Sequence, residues 1–228
     1  MASFSSPHIP ALALIGLLTA GCSSGQPIRA VPTPAHGAHA GDDRHIAQAR
    51  ADSAQRPYTE ADIHFMSAMI GHHAQALYIA HWAPTHQASP GIQRLAERII
   101  NAQRDEIALM QRWLADRHQP VPRVDRKGIP EHSDHAAHHG EMPGMLSEEQ
   151  LDRLNRARGT EFDRLFLKLM IQHHRGAVSM VEDLFATDGA GQDETVFRLA
   201  ADINVDQVTE IARMEKMLVA LVIEGKTP

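Results

Sequence analysis

The sequence predicts an all-α protein, a four-helix bundle built from two repeated helical hairpins. First, the string Met69-Ile70-Gly71-His72-His73 returns as Met170-Ile171-Gln172-His173-His174. Second, apolar residues recur at spacings of three and four along four long segments, which is typical of amphipathic helices. Third, short turns join these segments in pairs and one long connection joins the pairs. Two hairpins that each have an apolar face bury it most simply by packing together.

Capping residues and helix breakers predict where each element begins and ends. Four of the five predicted helices start at a Ser or Thr with a capping-box partner or a following proline. These signatures are Thr59 with Asp62, Ser89 with Pro90, Ser147 with Gln150, and Thr160 with Asp163. The predicted helices cover residues 59–82, 89–115, 147–159, 160–185 and 193–223, the third being short.

The first 57 residues are typical of an export signal and a tether. The apolar run that ends at Cys22 is too short to span a membrane and lies where a secretory signal has its apolar region. Leu18-Thr19-Ala20-Gly21-Cys22 resembles the lipobox of bacterial lipoproteins, in which the cysteine is lipidated. We expect a signal peptide over 1–21, a lipidated N-terminus and flexible tether over 22–57, and the bundle over 58–224. The alternative is a plain secretory signal with a chance Cys22.

These features predict an extracytoplasmic protein, in the periplasm or at the cell surface, that meets the membrane through its lipid anchor only. The net charge of −6 argues against nucleic acid as a partner. Sixteen histidines and ten methionines accompany the single cysteine, so disulfides and zinc–cysteine sites within the bundle are excluded. Imidazole and thioether are ligands for soft or borderline metals, and copper, as Cu(I) or Cu(II), is the predicted ion.

The repeated histidines lie within the apolar stripes of the first and third long helices. Adjacent residues differ by about 100° around a helix, so one histidine of each pair should face the core and the other a neighbouring helix or the rim. On the second long helix the predicted stripe includes Ala102 and Glu106, and Glu210 takes the matching place on the fourth. Buried glutamates need partners. The predicted metal ligands of the bundle are Met69, His72, His73, Met170, His173, His174, Glu106, Glu210, Met110 and Met214.

Two interpretations of this cluster remain open. In one, the glutamates accept hydrogen bonds from the histidines and the network fixes the register of the bundle. In the other, histidine and methionine bind metal, and the carboxylates are ligands or orient the imidazoles. The repetition of the string favours metal binding.

The long connection contains a second group of possible ligands. Residues 131–145 hold four histidines, two methionines and three acidic residues, and short histidine-rich tracts commonly bind metal. The alternative is a solvated polar loop. The candidate ligands here are His132, His135, His138, His139, Met142 and Met145.

Several motifs in order resemble the bacterial domain-of-unknown-function 305 proteins over roughly residues 59–222. They are Met-Ile-x-His-His followed by Ala76 or Ala177, Gln-x-x-Glu-Ile-x-x-Met at 103–110 and 207–214, and Met-Pro-Gly-Met at 142–145. The resemblance implies a ferritin-like four-helix bundle that binds copper outside the cytoplasm, with roles in copper tolerance or delivery. It also implies the repeated Met and His residues as ligands, with Met142 and Met145 as further thioethers. Gly71 stands where proline is usual, and Ile79 stands where the second half has Met180, so the first half offers less sulfur.

Together these observations predict a copper-binding protein that is not an enzyme and that buffers or sequesters copper or hands it on to another copper-handling protein. One alternative is a ferritin-like di-metal oxidase, although such sites use Glu-x-x-His and none occurs on the four long helices. Another is a structural or interaction lipoprotein whose buried His/Glu network responds to pH.

Overall fold

The computed structural model describes residues 58–125, 127–128 and 142–223. The described part of the chain contains five helices and no β-strand, which confirms the all-α prediction. The helices are α1 (Glu60–Ala80), α2 (Pro90–Asp116), α3 (Glu148–Arg156), α4 (Gly159–Ala186) and α5 (Glu194–Ile223). None of the described helices has the combined length and apolar character that crossing a membrane requires.

The bundle consists of two helical hairpins, as the internal repeat predicts. Helix α1 packs along α2, and α4 packs along α5. The hairpins meet chiefly through α1 and α4, and the short α3 packs on α4. The two helices that carry the repeated histidines therefore contact each other inside the molecule.

Two of the predicted capping boxes are present. Thr59 and Asp62 bond to each other's backbone N–H at the start of α1, and Ser147 and Gln150 do the same at the start of α3. Each box satisfies two backbone donors that a helix start otherwise leaves without partners. α1 ends at Ala80 rather than at the predicted Trp82.

The predicted cap at Thr160 is wrong. Helix α4 begins at Gly159, its N-cap is Arg158, and no side chain caps it. The reason is that the carboxylate of Asp163 has another partner: it accepts a hydrogen bond from the backbone N–H of Ser89, at 3.1 Å and 3.3 Å from its two oxygens. Ser89 itself occupies the N-cap of α2, but its hydroxyl makes no capping hydrogen bond.

The two repeated aspartates hold the hairpins together. Asp62, near the start of α1, accepts a hydrogen bond of 2.7 Å from the backbone N–H of Gly191, which lies in the turn between α4 and α5. Asp163, near the start of α4, binds Ser89 in the turn between α1 and α2. Both side chains are fully buried. Each histidine-bearing helix is thus fastened at its start to the turn of the opposite hairpin.

Two apolar clusters fill the interior, one on each side of a polar layer. One contains Ile79, Leu95, Phe162, Phe166 and Met170, and the other contains Phe65, Met69, Met110, Trp113 and Leu199. Each long helix contributes to one apolar cluster before its repeated polar positions and to the other cluster after them. The buried residues at these polar positions are His72, His73, His173, His174, Gln103 and Gln207. We call this the histidine layer. The predicted apolar stripe of α2 is wrong at Ala102, which is exposed, whereas Gln103 is buried. Ala102 and Gln103 follow Ile99 by three and four residues, so helical spacing alone does not distinguish them.

Candidate metal centre

The centre of the histidine layer is a contact between the two repeats. The rings of His72 on α1 and His173 on α4 lie with their centroids 3.9 Å apart and their planes tilted by 38°. Both side chains are fully buried. This contact joins equivalent residues of the two hairpins, so the pseudo-two-fold axis of the molecule passes close to it.

The second histidine of each pair turns toward a glutamate of its own hairpin. Nε2 of His73 lies 2.8 Å from Oε2 of Glu106, and Nε2 of His174 lies 2.8 Å from Oε2 of Glu210. Helix geometry predicted this division, because neighbouring side chains diverge by about 100°. The glutamate side chains are 14% and 11% exposed, so each carboxylate lies at the edge of the layer.

The hydrogen bonds leave one nitrogen on each of three imidazoles without a partner. Nε2 of His73 and Nε2 of His174 each face a glutamate oxygen, and Nε2 of His72 lies 3.1 Å from the carbonyl oxygen of Pro143. Because carboxylate and carbonyl oxygens only accept hydrogen bonds, each of these Nε2 atoms carries the ring hydrogen. Their Nδ1 atoms then hold a lone pair and have no hydrogen-bond partner among the described residues. An imidazole that donates to an oxygen through one nitrogen and offers the other is the usual form of a metal-binding histidine.

His173 differs from the other three. Neither of its ring nitrogens has a hydrogen-bond partner in the described part of the chain, although the side chain is fully buried. Buried polar atoms without partners are uncommon and costly. A metal ion accepting a lone pair from this ring would remove part of that cost.

The burial of this pair keeps the rings neutral. Burial, with a smaller contribution from the neighbouring His73, lowers the pKa of His72 to about 3. Burial, followed by the proximity of His72, also places the pKa of His173 well below its ordinary value. Neutral imidazole is the form that binds metal. Both rings are therefore competent ligands at neutral pH.

The thioethers lie on either side of the histidine layer. Met69 and Met170, one turn before the histidine pairs, are fully buried, but they belong to different apolar clusters. Met110 and Met214 are likewise buried in different clusters. The structure thus brings the imidazoles together and leaves these four methionines in two groups.

No group of three or more His, Cys, Asp or Glu side chains within the described ranges is arranged to hold one metal ion. A copper site on the described residues would therefore need a further kind of donor, such as a methionine sulfur or a backbone oxygen. Met142 and Met145 are half-buried beside the layer. His132, His135, His138 and His139 lie outside the described residues.

Residues 142–146, which we call the strap, cover the histidine layer where the long connection returns to the bundle. The carbonyl of Pro143 accepts from His72, and the side chain of Gln75 binds both the N–H and the carbonyl of Leu146, at 2.7 Å and 3.2 Å. The strap lies against α4 at Gly176, where a Cβ atom would stand 1.9 Å from the carbonyl oxygen of Pro143. Sequence reasoning missed Gln75, Pro143 and Gly176. The available signal was a glycine in a helix interior, which often marks a close backbone approach.

Comparison with known proteins assigns the chain to a family. Residues 62–218 match the family described as Domain of unknown function (DUF305). The chain belongs to this family. No curated protein matches it.

Solved structures of other DUF305 proteins share the fold. A DUF305 fragment from Deinococcus radiodurans is 33% identical, with a TM-score of 0.58 over 71% of this chain and 97% of that one. A putative secreted DUF305 protein from Streptomyces coelicolor is 27% identical, with a TM-score of 0.57 over 70% and 92%. CopM in its Cu(II)-bound form is 30% identical, with a TM-score of 0.53 over 69% and 95%. CopM structures with Cu(I) and with Ag are 29% identical, with TM-scores of 0.50 and 0.51.

The structure explains the glycine at position 71 of this DUF305 protein. A Cβ atom on Gly71 would lie 2.7 Å from the carbonyl oxygen of Gly128, and a Cβ on Gly128 would lie 2.0 Å from the carbonyl oxygen of Gly71. Gly128 also has a φ of +81°, which favours glycine. Gly128 of the long connection therefore packs directly against Gly71, and the methyl group of Met142 lies within 3.7 Å of the same Cβ position.

Proposed function

We propose that this DUF305 protein binds copper outside the cytoplasm, buffers it or hands it to another protein, and performs no chemistry on it. The observation that carries the proposal is the set of buried imidazoles whose Nε2 hydrogens point to oxygen acceptors and whose Nδ1 lone pairs have no described partner. That CopM was crystallised with Cu(I) and Cu(II) supports the choice of metal.

The surrounding side chains favour copper over harder metals. Met69 and Met170 adjoin the histidine pairs on α1 and α4, and Met142 stands beside Gly71. Thioether sulfur suits Cu(I), whereas imidazole with carboxylate suits Cu(II). Because Oε2 of each repeated glutamate accepts from a histidine, we assign Glu106 and Glu210 the role of orienting the imidazoles.

The proposed location rests on the N-terminal sequence and on one relative. The apolar run ending at Cys22 is typical of an export signal, and the Streptomyces relative is described as a putative secreted protein. We propose that Cys22, which lies outside the described residues, carries the lipid anchor.

An anaerobic titration with Cu(I) against a chromophoric chelator tests the proposal. Soluble protein comprising residues 23–228 should compete for at least one ion with submicromolar affinity. Replacing Met170, His173 and His174 together by Ala should weaken the tightest binding by more than about tenfold, as expected for loss of ligands. A matched variant with His64→Ala and His81→Ala, both at exposed positions, should bind as the wild type does.

Two results would contradict the proposal. Failure of the wild type to compete with the chelator would exclude a tight Cu(I) site. An unchanged affinity in the Met170/His173/His174 variant would place the site elsewhere than at these residues. The His–Glu pairs and the lack of a three-ligand group among the described His, Cys, Asp and Glu favour a structural network as the second candidate. That network predicts loss of stability in the same variant with no copper binding in the wild type.

A further inference from the structure

A cleft between α2 and α5 adjoins the histidine layer. Its volume is about 230 Å³, and its lining includes Glu106, Glu210, Gln103, Gln207, Asp206 and Arg98. Four of these residues are the two copies of the repeated Gln-x-x-Glu motif. The motif therefore places both glutamines and both glutamates at one opening in the bundle.

The glutamines of the cleft are buried without partners. Gln103 and Gln207 are each 2% exposed. Neither the nitrogen nor the oxygen of the Gln103 amide has a hydrogen-bond partner among the described residues, and the oxygen of the Gln207 amide also has none. A buried amide oxygen without a donor costs free energy that a bound ligand can recover.

The charge of the cleft favours a cation. Three carboxylates, those of Glu106, Glu210 and Asp206, face one guanidinium, that of Arg98. Each repeated glutamate uses Oε2 to accept a hydrogen bond from a histidine, so its second carboxylate oxygen, Oε1, is the one that can bind a cation or its coordinated water. Carboxylate and amide oxygens are ligands that hard divalent cations prefer.

The size of the cleft favours an ion that keeps its water. With a volume of about 230 Å³, the cleft has room for several water molecules. Because no three His, Cys, Asp or Glu side chains of the described residues are arranged to hold a bare ion, coordinated waters must reach the side-chain oxygens. Small divalent cations commonly bind in this way.

We propose that this cleft binds one hydrated divalent cation, held by the carboxylates of Glu106, Glu210 and Asp206 and by the amide oxygens of Gln103 and Gln207. The site differs in chemistry from the buried imidazoles and does not depend on copper binding there. Glu106 also accepts a hydrogen bond from His73, and Glu210 accepts one from His174. Each of these carboxylates would therefore stand between the ion and one histidine ring.

Mn²⁺ is the probe, because it prefers oxygen ligands and its free aqua ion has an electron paramagnetic resonance signal that weakens on binding. Titration of the metal-free full chain should show one bound Mn²⁺. The variant Gln103→Leu with Gln207→Leu should weaken that binding at least about tenfold, as does loss of groups that support a bound ion. Gln111→Leu, at an exposed position of α2 outside the cleft, should have no effect.

A second pair of variants tests the charge. Asp206→Asn should weaken Mn²⁺ binding, whereas Asp105→Asn, the same change at an exposed position of α2, should not. The proposal is overturned if the wild type binds no Mn²⁺, or if the glutamine and Asp206 variants bind it as the wild type does. The Cu(I) titration is a separate measurement, so failure of either site leaves the other to be judged by its own result.

Discussion

At the scale of single residues, the histidine layer depends on rings that stay neutral. His72 and His173 are in ring contact and fully buried, so a proton on either would place a charge in an apolar interior beside another imidazole. The lowered pKa of each ring follows from this burial. The same burial that keeps the rings neutral should make the folded protein sensitive to acid.

We predict that the metal-free protein loses stability as the pH falls from about 6.5 toward about 3. Below about pH 6.5 the unfolded chain takes up protons on His72 and His173. In the folded protein the pKa of His72 is lowered to about 3, and the pKa of His173 also lies well below its ordinary value, so these rings resist protonation. The slope is at most about 1.4 kcal/mol per pH unit for each histidine. Free energies of unfolding from urea titrations near pH 7 and pH 5 measure it.

His72→Gln should reduce that slope by about one histidine's share, on the order of 1.4 kcal/mol per pH unit. His64→Gln, at an exposed position of the same helix, is the control. Equal slopes in the wild type and in His72→Gln would show that this ring is not kept neutral by folding.

At the scale of elements, the glycine in the middle of α4 allows the strap to pack against that helix. Glycine weakens a helix interior by about 1 kcal/mol relative to alanine, yet Gly176 lies two residues after the His173-His174 pair. The backbone of Pro143 and Gly144 occupies the place of its missing side chain. The close approach positions the Pro143 carbonyl to accept from His72.

Gly176→Ala should therefore destabilise the protein, by roughly 1–3 kcal/mol as for other overpacked sites, although alanine is the better helix former. The added Cβ would stand 1.9 Å from the Pro143 oxygen and 2.7 Å from the Cα of Gly144, so the strap must move. Urea unfolding measures the change, and Glu182→Ala, at an exposed position of α4, should stay within about 0.5 kcal/mol of the wild type. A Gly176→Ala protein more stable than the wild type would show that the strap is loosely held.

At the scale of the whole molecule, two buried carboxylates fasten the hairpins at opposite sides of the histidine layer. Asp62 holds the turn of the second hairpin and Asp163 holds the turn of the first. Burial raises the pKa of Asp163, and its hydrogen bonds from Ser89 oppose that rise. The hairpins are thus joined by specific polar contacts as well as by the apolar clusters.

Asp163→Ala should cost about 1–3 kcal/mol of stability, because it leaves the buried N–H of Ser89 without an acceptor. Asp62→Ala should cost at least as much, since its carboxylate also caps α1. The double variant should show nearly additive losses, within about 0.5 kcal/mol. Urea unfolding of both single variants, the double variant and the exposed Asp202→Ala control tests this; a strongly non-additive double variant would indicate that the two contacts are coupled.

Helical periodicity and the internal repeat determine which features of the fold and of the site the sequence predicts. The four long helices, the split of each histidine pair and the partners of Glu106 and Glu210 were predictable, because helical spacing and the repeat determine them. The contacts of Pro143 and Gly176 depend on the path of the long connection, which has no period. The prediction of Asp163 as a cap is wrong because its actual partner, Ser89, is distant in sequence and the local pattern does not reveal it. The ligand role of the predicted residues stays a prediction.

The strap also has a consequence for the history of the molecule. If the two hairpins arose by duplication, the piece of chain that joins them exists only once. It covers His72 and gives that ring an acceptor, while the equivalent His173 has none among the described residues. The equivalent helices also differ at these contacts. Position 71 of α1 is Gly and the equivalent position 172 of α4 is Gln, whereas position 75 is Gln and the equivalent position 176 is Gly. A single joining segment therefore gives the two halves different surroundings, although the sequences of their helices repeat.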